Sequence, residues 1–248
     1  MFGPLNPRAV PPIELARRLV SRYPSLSVSY DPYWANVKSL LNMEGADGTA
    51  SFIDATGKAW AAFGDAQIDT SLGYNAGQFD GSGDYIQTPH SIDLVLGSGD
   101  FCVEGFARVP SISTQQTLIE KRGTSFLAGD WVVFIYSSQL YVYAYDFDSA
   151  GNVILTSGSG SIAANTEFHW AWTRASSTMR LFIDGVQKAT VASSNTIVSS
   201  AVPLSIGRDN VAGGRFWLNG HVRASRITVG VARYAANFLP PSAPFPTA

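Results

Sequence analysis

The chain has 248 residues, of which 46% are hydrophobic and only 15% charged, with a formal net charge of −2. The hydrophobic share suffices for a substantial core, and the near-neutral balance excludes a basic field that could hold nucleic acid. The single cysteine, Cys102, excludes an intrachain disulfide and a Cys-based zinc site. No window approaches the roughly 20 apolar residues of a membrane-spanning helix, so no membrane partner is expected.

Residues 1–30 differ from the rest of the chain and are predicted to form an N-terminal docking arm. Prolines keep the first dozen residues extended, and apolar spacing predicts a short helix from Pro12 to Arg22. The segment carries four arginines against one glutamate. Two interpretations stay open: the helix covers one end of its own domain, or the basic arm binds another protein. The candidate docking residues are Ile13, Arg17, Leu19, Val20 and Tyr23.

From Asp31 onward, alternating apolar and polar residues with turn signals between them predict β-strands. Gly77–His90 is typical of a strand-turn-strand unit, with its turn at Asp80–Asp84, and Asp184-Gly185 predicts a type I′ hairpin turn. We therefore expect one all-β domain over residues 31–248, built as a two-sheet antiparallel jelly-roll sandwich. Besides the two strands of the first unit, strands are predicted at 37–44, 101–109, 117–121, 131–136, 140–147, 168–174, 179–184, 186–191, 204–207, 215–218 and 220–229.

A series of motifs runs through this body in a recognisable order. They are Asp31–Val37, Phe79–Tyr85, Gly97–Phe106, Arg180–Gln187, and Gly230–Tyr234 followed by Pro244-Phe245-Pro246. The series resembles the laminin-G-like jelly-roll domains, of concanavalin A-like lectin/glucanase fold, that occur in structural proteins of tailed bacteriophages.

This resemblance implies a non-enzymatic structural protein on the virion surface. Its arm would attach it to a capsid or tail protein, and its role would be decoration, stabilisation or surface adhesion. Repeated copies on a symmetric particle imply a homo-oligomer such as a trimer. The alternative is a carbohydrate-binding module that recognises host or environmental glycans, and a glycan depolymerase is the third option.

Aromatic side chains supply the candidates for glycan binding. Tyr141, Tyr143 and Tyr145 share one face of a predicted strand, and Trp170 and Trp172 are expected to lie nearby on another. Exposed rings beside polar groups can stack on sugar rings. The competing interpretation is that these rings are core residues or pack in an oligomer interface, since large aromatic side chains are usually well buried.

Glu104 is the best candidate for a glycosidase carboxylate, because it lies in a predicted strand of a fold that hosts glucanases. Hydrolysis of a glycosidic bond needs two carboxylates. Its neighbours on the same face are Cys102, Phe106 and Arg108, none of which is acidic. We therefore expect no catalytic residues, and an ion pair between Glu104 and Arg108 or another cation.

Asp80 and Asp84 are weak candidates for calcium, since oxygen ligands in loops suit that ion. Aspartate in glycine-rich turns is also ordinary turn chemistry. Relatives of the family often carry an acidic pair where this chain has Arg223 and Ala224, which removes possible ligands. The sequence therefore predicts no metal and no cofactor.

Overall fold

The computed structural model describes residues 30–124, 129–145, 153–198, 201–211 and 214–247. In these ranges the complete helical turns are two short 3₁₀ turns, Trp34–Asn36 and Ile92–Leu94, and no helix could cross a membrane. The strands are β1 (Val37–Leu41), β2 (Ala61–Phe63), β3 (Gln67–Asp69), β4 (Ala76–Asp80), β5 (Tyr85–Thr88), β6 (Phe101–Arg108), β7 (Gln116–Lys121), β8 (Trp131–Tyr136), β9 (Gln139–Ala144), β10 (Val153–Thr156), β11 (Phe168–Ala175), β12 (Thr178–Ile183), β13 (Val186–Ala192), β14 (Leu204–Ile206) and β15 (Asn219–Val229).

These strands form two antiparallel sheets that pack face to face, which confirms the predicted all-β sandwich. The eight-stranded sheet has the order β13-β12-β11-β6-β15-β4-β3, and β1 pairs with β15 outside this path. The seven-stranded sheet has the order β10-β9-β8-β7-β14-β5-β2. Residues Ala35–Phe245 make up one compact unit. The arrangement fits a jelly roll.

The core lies between the two sheets, because each strand turns alternate side chains toward the opposite sheet. Trp172 packs edge-on against Phe101, with ring centroids 4.7 Å apart, and lies 5.7 Å from Trp131 of the other sheet. The predicted faces of β6 are confirmed, since Phe101 and Val103 point into this core while Glu104 points away from it. The contact between Trp172 and Trp131 therefore joins the two sheets within this core.

A C-terminal strap, residues 231–245, covers the outward face of the eight-stranded sheet. Tyr234 and Phe238 stack with ring centroids 3.5 Å apart, and Phe238 packs against Phe182 at 5.2 Å. Phe245 exchanges two hydrogen bonds of 2.9 Å with Asn42. Under this strap all eight residues of β11 are buried. The middle of the eight-stranded sheet is thus buried on both faces.

Of the two tight turns predicted from the sequence, one joins a hairpin and the other does not. Asp184 and Gly185 have φ angles of 48° and 74°, as a type I′ turn requires, and they join β12 to β13. The strand-turn-strand unit at Gly77–His90 is not a hairpin, because β4 belongs to the eight-stranded sheet and β5 to the seven-stranded one. The turn Asp80–Asp84 therefore carries the chain from one sheet to the other.

Two further predictions need comment. The strand predicted at 215–218 is absent, because Phe216 has a φ of 50° and breaks the extended conformation. The docking arm of residues 1–30, with its helix and its candidate residues Ile13, Arg17, Leu19, Val20 and Tyr23, lies outside the described residues apart from Tyr30. It stays a prediction.

Candidate functional site

The outward face of the seven-stranded sheet carries a row of half-exposed tyrosines. In β9 the side chains of Leu140 and Val142 are fully buried in the core, whereas those of Tyr141 and Tyr143 point outward. Tyr145 continues the row just beyond the strand. This follows from the two-residue period of a strand whose inner face packs on the opposite sheet.

The tyrosines belong to a larger aromatic cluster, which we call the tyrosine platform: Phe134, Tyr136, Tyr141, Tyr143 and Tyr145. Phe134 stacks on Tyr141 with ring centroids 5.0 Å apart and planes 4° from parallel. Tyr143 lies 6.1 Å from Phe134 and 5.9 Å from Tyr145. The hydroxyls of Tyr141 and Tyr143 make no hydrogen bond to any described residue. The platform is therefore an apolar surface with available polar groups at its rim.

The described parts of the segment that follows β14, residues 207–211 and 214–218, fold back over this face of the sheet, and we call them the 207–218 loop. The backbone N–H of Asn210 donates to Glu120 Oε2 at 3.1 Å, and its Nδ2 donates to the carbonyl of Arg122 at 3.3 Å. Asp209 and Arg215 join the two described ends of the loop by reciprocal backbone hydrogen bonds of 2.9 and 2.8 Å. The loop thus brings charged residues from distant sequence positions next to the tyrosine platform.

Beneath the loop lies a buried ionic cluster. Arg122 Nη1 is 3.0 Å from Asp209 Oδ2, and both side chains are almost completely buried. Burial raises the pKa of Glu120 to about 8, and its Oε1 has no hydrogen-bond partner among the described residues. Arg208 extends over the ring of Tyr85 at 3.8 Å.

A cleft of 260 Å³ opens where the loop meets the tyrosine platform. Arg215, at the edge of this cleft, is exposed and lies over the ring of Phe216 at 4.5 Å. Burial raises the pKa of Tyr145 to about 12, so its hydroxyl stays protonated and polar without charge. The walls of the cleft include Phe134, Tyr143, Tyr145, Arg122, Gln115 and Arg215.

The structure separates the tryptophans from the tyrosines. Trp170 and Trp172 lie in β11 of the eight-stranded sheet, are 2% and 0% exposed, and face the interior of the sandwich. The expectation that they lie near the tyrosines on an exposed face was wrong, and the core interpretation holds for them. The reason is that β11 is covered on both faces, so that sequence alternation could not distinguish inside from outside.

Glu104 lies on the outward face of the eight-stranded sheet, buried under the C-terminal strap. Its Oε1 accepts a hydrogen bond from Arg226 at 2.9 Å, and its Oε2 accepts one from the Tyr234 hydroxyl at 2.9 Å and lies 3.1 Å from His169 Nε2. Burial alone would raise the pKa of this carboxyl, but Arg226 and His169 hold it at about 2. The ion pair expected for Glu104 is therefore present, with Arg226 in place of Arg108.

Asp80 and Asp84 have structural roles in the turn that links the sheets. Asp84 is buried and accepts backbone hydrogen bonds from Asp65 at 2.6 Å and Asp80 at 3.0 Å. Asp80 accepts from the backbone of Ser82 at 2.7 Å, which is an Asx turn. Among the described residues no three His, Cys, Asp or Glu side chains come together in a way that could hold a metal ion.

A second, smaller cleft of 210 Å³ lies beside the eight-stranded sheet. Arg223 lies over the ring of Tyr74 at 4.1 Å and pairs with Glu167 at 2.9 Å, so its charge is already neutralised. Burial raises the pKa of Tyr74. The aromatic ring and the cation of this cleft are thus occupied with each other, in contrast to those at the tyrosine platform.

Sequence reasoning missed several residues of the candidate site: Phe134 and Tyr136 of the tyrosine platform, and Gln115, Arg122, Asp209 and Arg215 at the cleft. The alternation of β8 contained the signal for Phe134, because Val133 and Ile135 mark the inner face and Phe134 the outer one. No local signal could place the three charged residues, since only the path of the 207–218 loop brings them together.

The comparisons with known proteins agree with this architecture. The family model described as the concanavalin A-like lectin/glucanases superfamily matches residues 80–229. The chain belongs to this superfamily. No curated protein sequence matches significantly.

Solved structures with the same fold are distant in sequence. The binding domain of Paraclostridial Mosquitocidal Protein 1 is 13% identical, with a TM-score of 0.59 over 79% of this chain and 48% of that one. The binding domain of botulinum neurotoxin serotype D is also 13% identical, with a TM-score of 0.59 over 80% of this chain and 49% of that one. The carbohydrate-binding module of the Ruminococcus gnavus IT-sialidase is 12% identical, with a TM-score of 0.50 over 57% of this chain and 80% of that one. This chain thus spans about half the length of the toxin domains, and the likeness is one of fold.

Proposed function

We propose that this protein is a non-enzymatic glycan-binding domain and that the tyrosine platform and its adjoining cleft receive the glycan. The observation that carries the proposal is the half-exposed aromatic surface whose Tyr141 and Tyr143 hydroxyls are unused by the described residues. Sugar rings present an apolar C–H face and a polar rim, so they match a surface of this composition.

The structural neighbours support the same class of ligand. The sialidase module of Ruminococcus gnavus was solved bound to α2,3-sialyllactose. Cell entry of botulinum neurotoxin type C depends on interaction with two ganglioside molecules. The ligands named in both cases carry glycans, and both structures share the fold of this chain, which favours recognition over decoration alone.

The non-enzymatic part of the proposal rests on the state of the carboxylates. Glu104 is fully buried and committed to Arg226 and His169. Near the platform, Glu120 and Asp209 are 0% and 1% exposed; Glu120 lies beneath the 207–218 loop and Asp209 lies within it. A glycosidase needs two carboxyl groups that reach opposite sides of the scissile bond. None of these three reaches a bound sugar in this conformation.

The test is binding of the purified protein to a panel of immobilised neutral and acidic oligosaccharides. We expect Y143A, and more strongly Y141A/Y143A, to weaken binding roughly tenfold or more, as loss of a stacked ring implies. Y74A, which removes the aromatic wall of the second cleft, is the matched control and should bind as the wild type does. Loss of binding in Y74A but not in Y141A/Y143A would move the site to the other sheet and refute the proposal.

We further propose that the domain is carried on a virion surface, where glycan binding would serve adhesion. The support is the resemblance of its motif series to tailed-phage structural proteins and the apolar stripe of Ile13, Leu19, Val20 and Tyr23 in the predicted arm. Such a stripe is stable only when it is covered, and a capsid or tail protein could cover it. A homo-oligomer such as a trimer would let several weak arms act together.

The attachment can be tested with protein that lacks residues 1–30, added to particles deficient in this component. We expect a folded domain that no longer joins the particle, and L19D/V20D should behave in the same way because a buried unpaired charge is costly. Full occupancy by the truncated protein would show that the sandwich itself makes the attachment.

A further inference from the structure

The cleft beside the tyrosine platform contains an arginine whose charge is not neutralised. Arg215 lines the cleft and is exposed, and it makes no ion pair with any described residue. Arg122, which lines the same cleft, is paired with Asp209 at 3.0 Å. The cleft therefore offers one cation to an incoming ligand.

The residues around Arg215 add further positive charge to the cleft. Arg208 makes no ion pair with a described residue and packs on Tyr85 instead. Three arginines, Arg122, Arg208 and Arg215, thus stand against the two carboxyl groups Glu120 and Asp209 in and beneath the described parts of the 207–218 loop. An excess of positive charge at a small concave surface favours an anionic ligand.

The backbone holds Arg215 in place. Its N–H donates to the carbonyl of Asp209 at 2.8 Å, and the next residue, Phe216, has a φ of 50°, which is an outlier for a bulky side chain. The carbonyl of Phe216 accepts from the N–H of Thr117 at 2.9 Å, which fastens this strained turn to β7. Strained positions of this kind cluster at ligand-binding sites, where the surrounding structure maintains them.

Two neutral groups complete the cleft. The amide of Gln115 and the hydroxyl of Tyr143 both line it, and neither makes a hydrogen bond to a described residue. Together with the ring of Phe134 and the side chain of Arg215, they give the cleft an apolar wall, two neutral hydrogen-bonding groups and one guanidinium unpaired by any described residue. The volume of 260 Å³ lies just below the range of sites for drug-sized ligands, so the cleft suits a single sugar unit.

We infer that this cleft selects the acidic unit of a glycan, with Arg215 pairing with a carboxylate or sulfate oxygen while Tyr143 and Phe134 pack against the sugar ring. The inference rests on the proposed glycan-binding function and adds the charge class of its ligand. Guanidinium is suited to this role because its planar donors match both oxygens of a carboxylate. A pair at an exposed arginine is screened by salt, so binding should weaken as ionic strength rises.

The experiment compares saccharides with and without an acidic part: a whole acidic sugar unit in the first pair of probes and a single sulfate group in the second. The probes are α2,3-sialyllactose against lactose, and galactose 6-sulfate against galactose, each immobilised at equal density. The proteins are the wild type, R215Q and K188Q; Lys188 is an exposed cation on β13 of the other sheet, so K188Q makes the same charge change away from the cleft.

We expect the wild type to bind at least one acidic probe at least tenfold more tightly than its neutral partner, R215Q to lose that preference, and K188Q to keep it. The two acidic probes distinguish a carboxylate from a sulfate. Equal binding of acidic and neutral probes by the wild type, or equal losses in R215Q and K188Q, would overturn the inference and leave the glycan-binding function intact. Failure of the wild type to bind any saccharide, in this set and in the wider panel, would overturn both.

Discussion

The backbone N–H of Asn210 donates to Glu120 Oε2 at 3.1 Å, and this bond fastens the 207–218 loop over a carboxyl group that has no exposed surface. A loop that supplies Arg215 to the candidate cleft is thus hydrogen-bonded to a buried carboxyl group whose pKa is raised. The first prediction concerns the effect of that carboxyl on stability.

Glu120 should make the protein less stable as the pH rises. Burial raises its pKa from an ordinary 4.5 to about 8, so between these values the folded state holds a proton that the unfolded state has lost. The free energy of unfolding therefore falls across this window and levels off above pH 8. At about 1.4 kcal/mol per pKa unit, the loss from this group is on the order of a few kcal/mol.

Urea unfolding at intervals from pH 5 to 9 measures how steeply the free energy of unfolding falls with pH; this slope is the quantity to compare between variants. E120Q cannot ionise and should flatten it, whereas E44Q, a change at an exposed glutamate, should follow the wild type. A slope that persists unchanged in E120Q would mean that another group causes it.

The ion cluster at Glu104 should stabilise the fold without taking part in ligand binding. E104Q leaves Arg226 and Arg233 buried without their carboxylate, which we expect to cost about 3–5 kcal/mol. D93N breaks the surface pair of Lys58 and Asp93, at 2.8 Å, and should cost less than about 1 kcal/mol. Chemical denaturation measures both values.

Glu104 should also make stability depend on pH, but in the direction opposite to that expected for Glu120. Because the folded pKa is held at about 2, its stabilising contribution is fully present above pH 4.5 and is lost as the pH falls toward 2. Folded E104Q should bind glycans as the wild type does. If E104Q instead abolished a glycan-cleaving activity of the wild type, the structural role assigned to Glu104 would be wrong.

Alanine variants of Trp172 and Tyr143 should show the different effects of removing a core residue and a surface residue. W172A opens a cavity between the sheets and is expected to destabilise the protein by about 3–5 kcal/mol. Y143A removes a half-exposed ring and should cost no more than about 1 kcal/mol while weakening glycan binding. Denaturation midpoints and binding measured on the same samples test the pair; a large stability loss in Y143A would assign it to the core.

Gly185 should be the more sensitive of two glycines with similar backbone angles. Gly73 and Gly185 have φ of 82° and 74°, but a Cβ at Gly73 meets nothing within 4 Å, whereas one at Gly185 would lie 1.9 Å from the Phe238 carbonyl oxygen. G73A should cost about 1 kcal/mol from backbone strain alone. G185A should cost more and loosen the C-terminal strap, and faster hydrogen exchange across residues 234–245 would reveal this. Similar behaviour of the two variants would contradict it.

A chelator should leave the melting temperature unchanged within about a degree. Asp80 and Asp84 bind backbone N–H groups of their own turn and its neighbour, so the turn does not need an ion to hold its shape. A drop on chelation that calcium reverses would restore these aspartates as ligands.

The features that could be predicted from the amino-acid sequence are those that depend on neighbouring residues. The two-residue period of β9 placed Tyr141 and Tyr143 together on one face, and the Asp184-Gly185 pair specified its turn because both residues tolerate positive φ. Because no acidic residue shares its face of the strand, Glu104 was expected to pair with a cation and not to act as a catalytic acid, and it does pair with Arg226.

The tertiary structure was needed to show which face of a strand is inside and which charged residues meet. In β11 the strap covers the outward face, so both faces are buried and Trp172 could not be assigned to the core by its pattern. Arg226 lies 122 positions from Glu104, and Asp209 lies 87 from Arg122. Local periodicity has no bearing on such pairings, because they are fixed by strand order and by the path of the 207–218 loop across a sheet formed from distant segments.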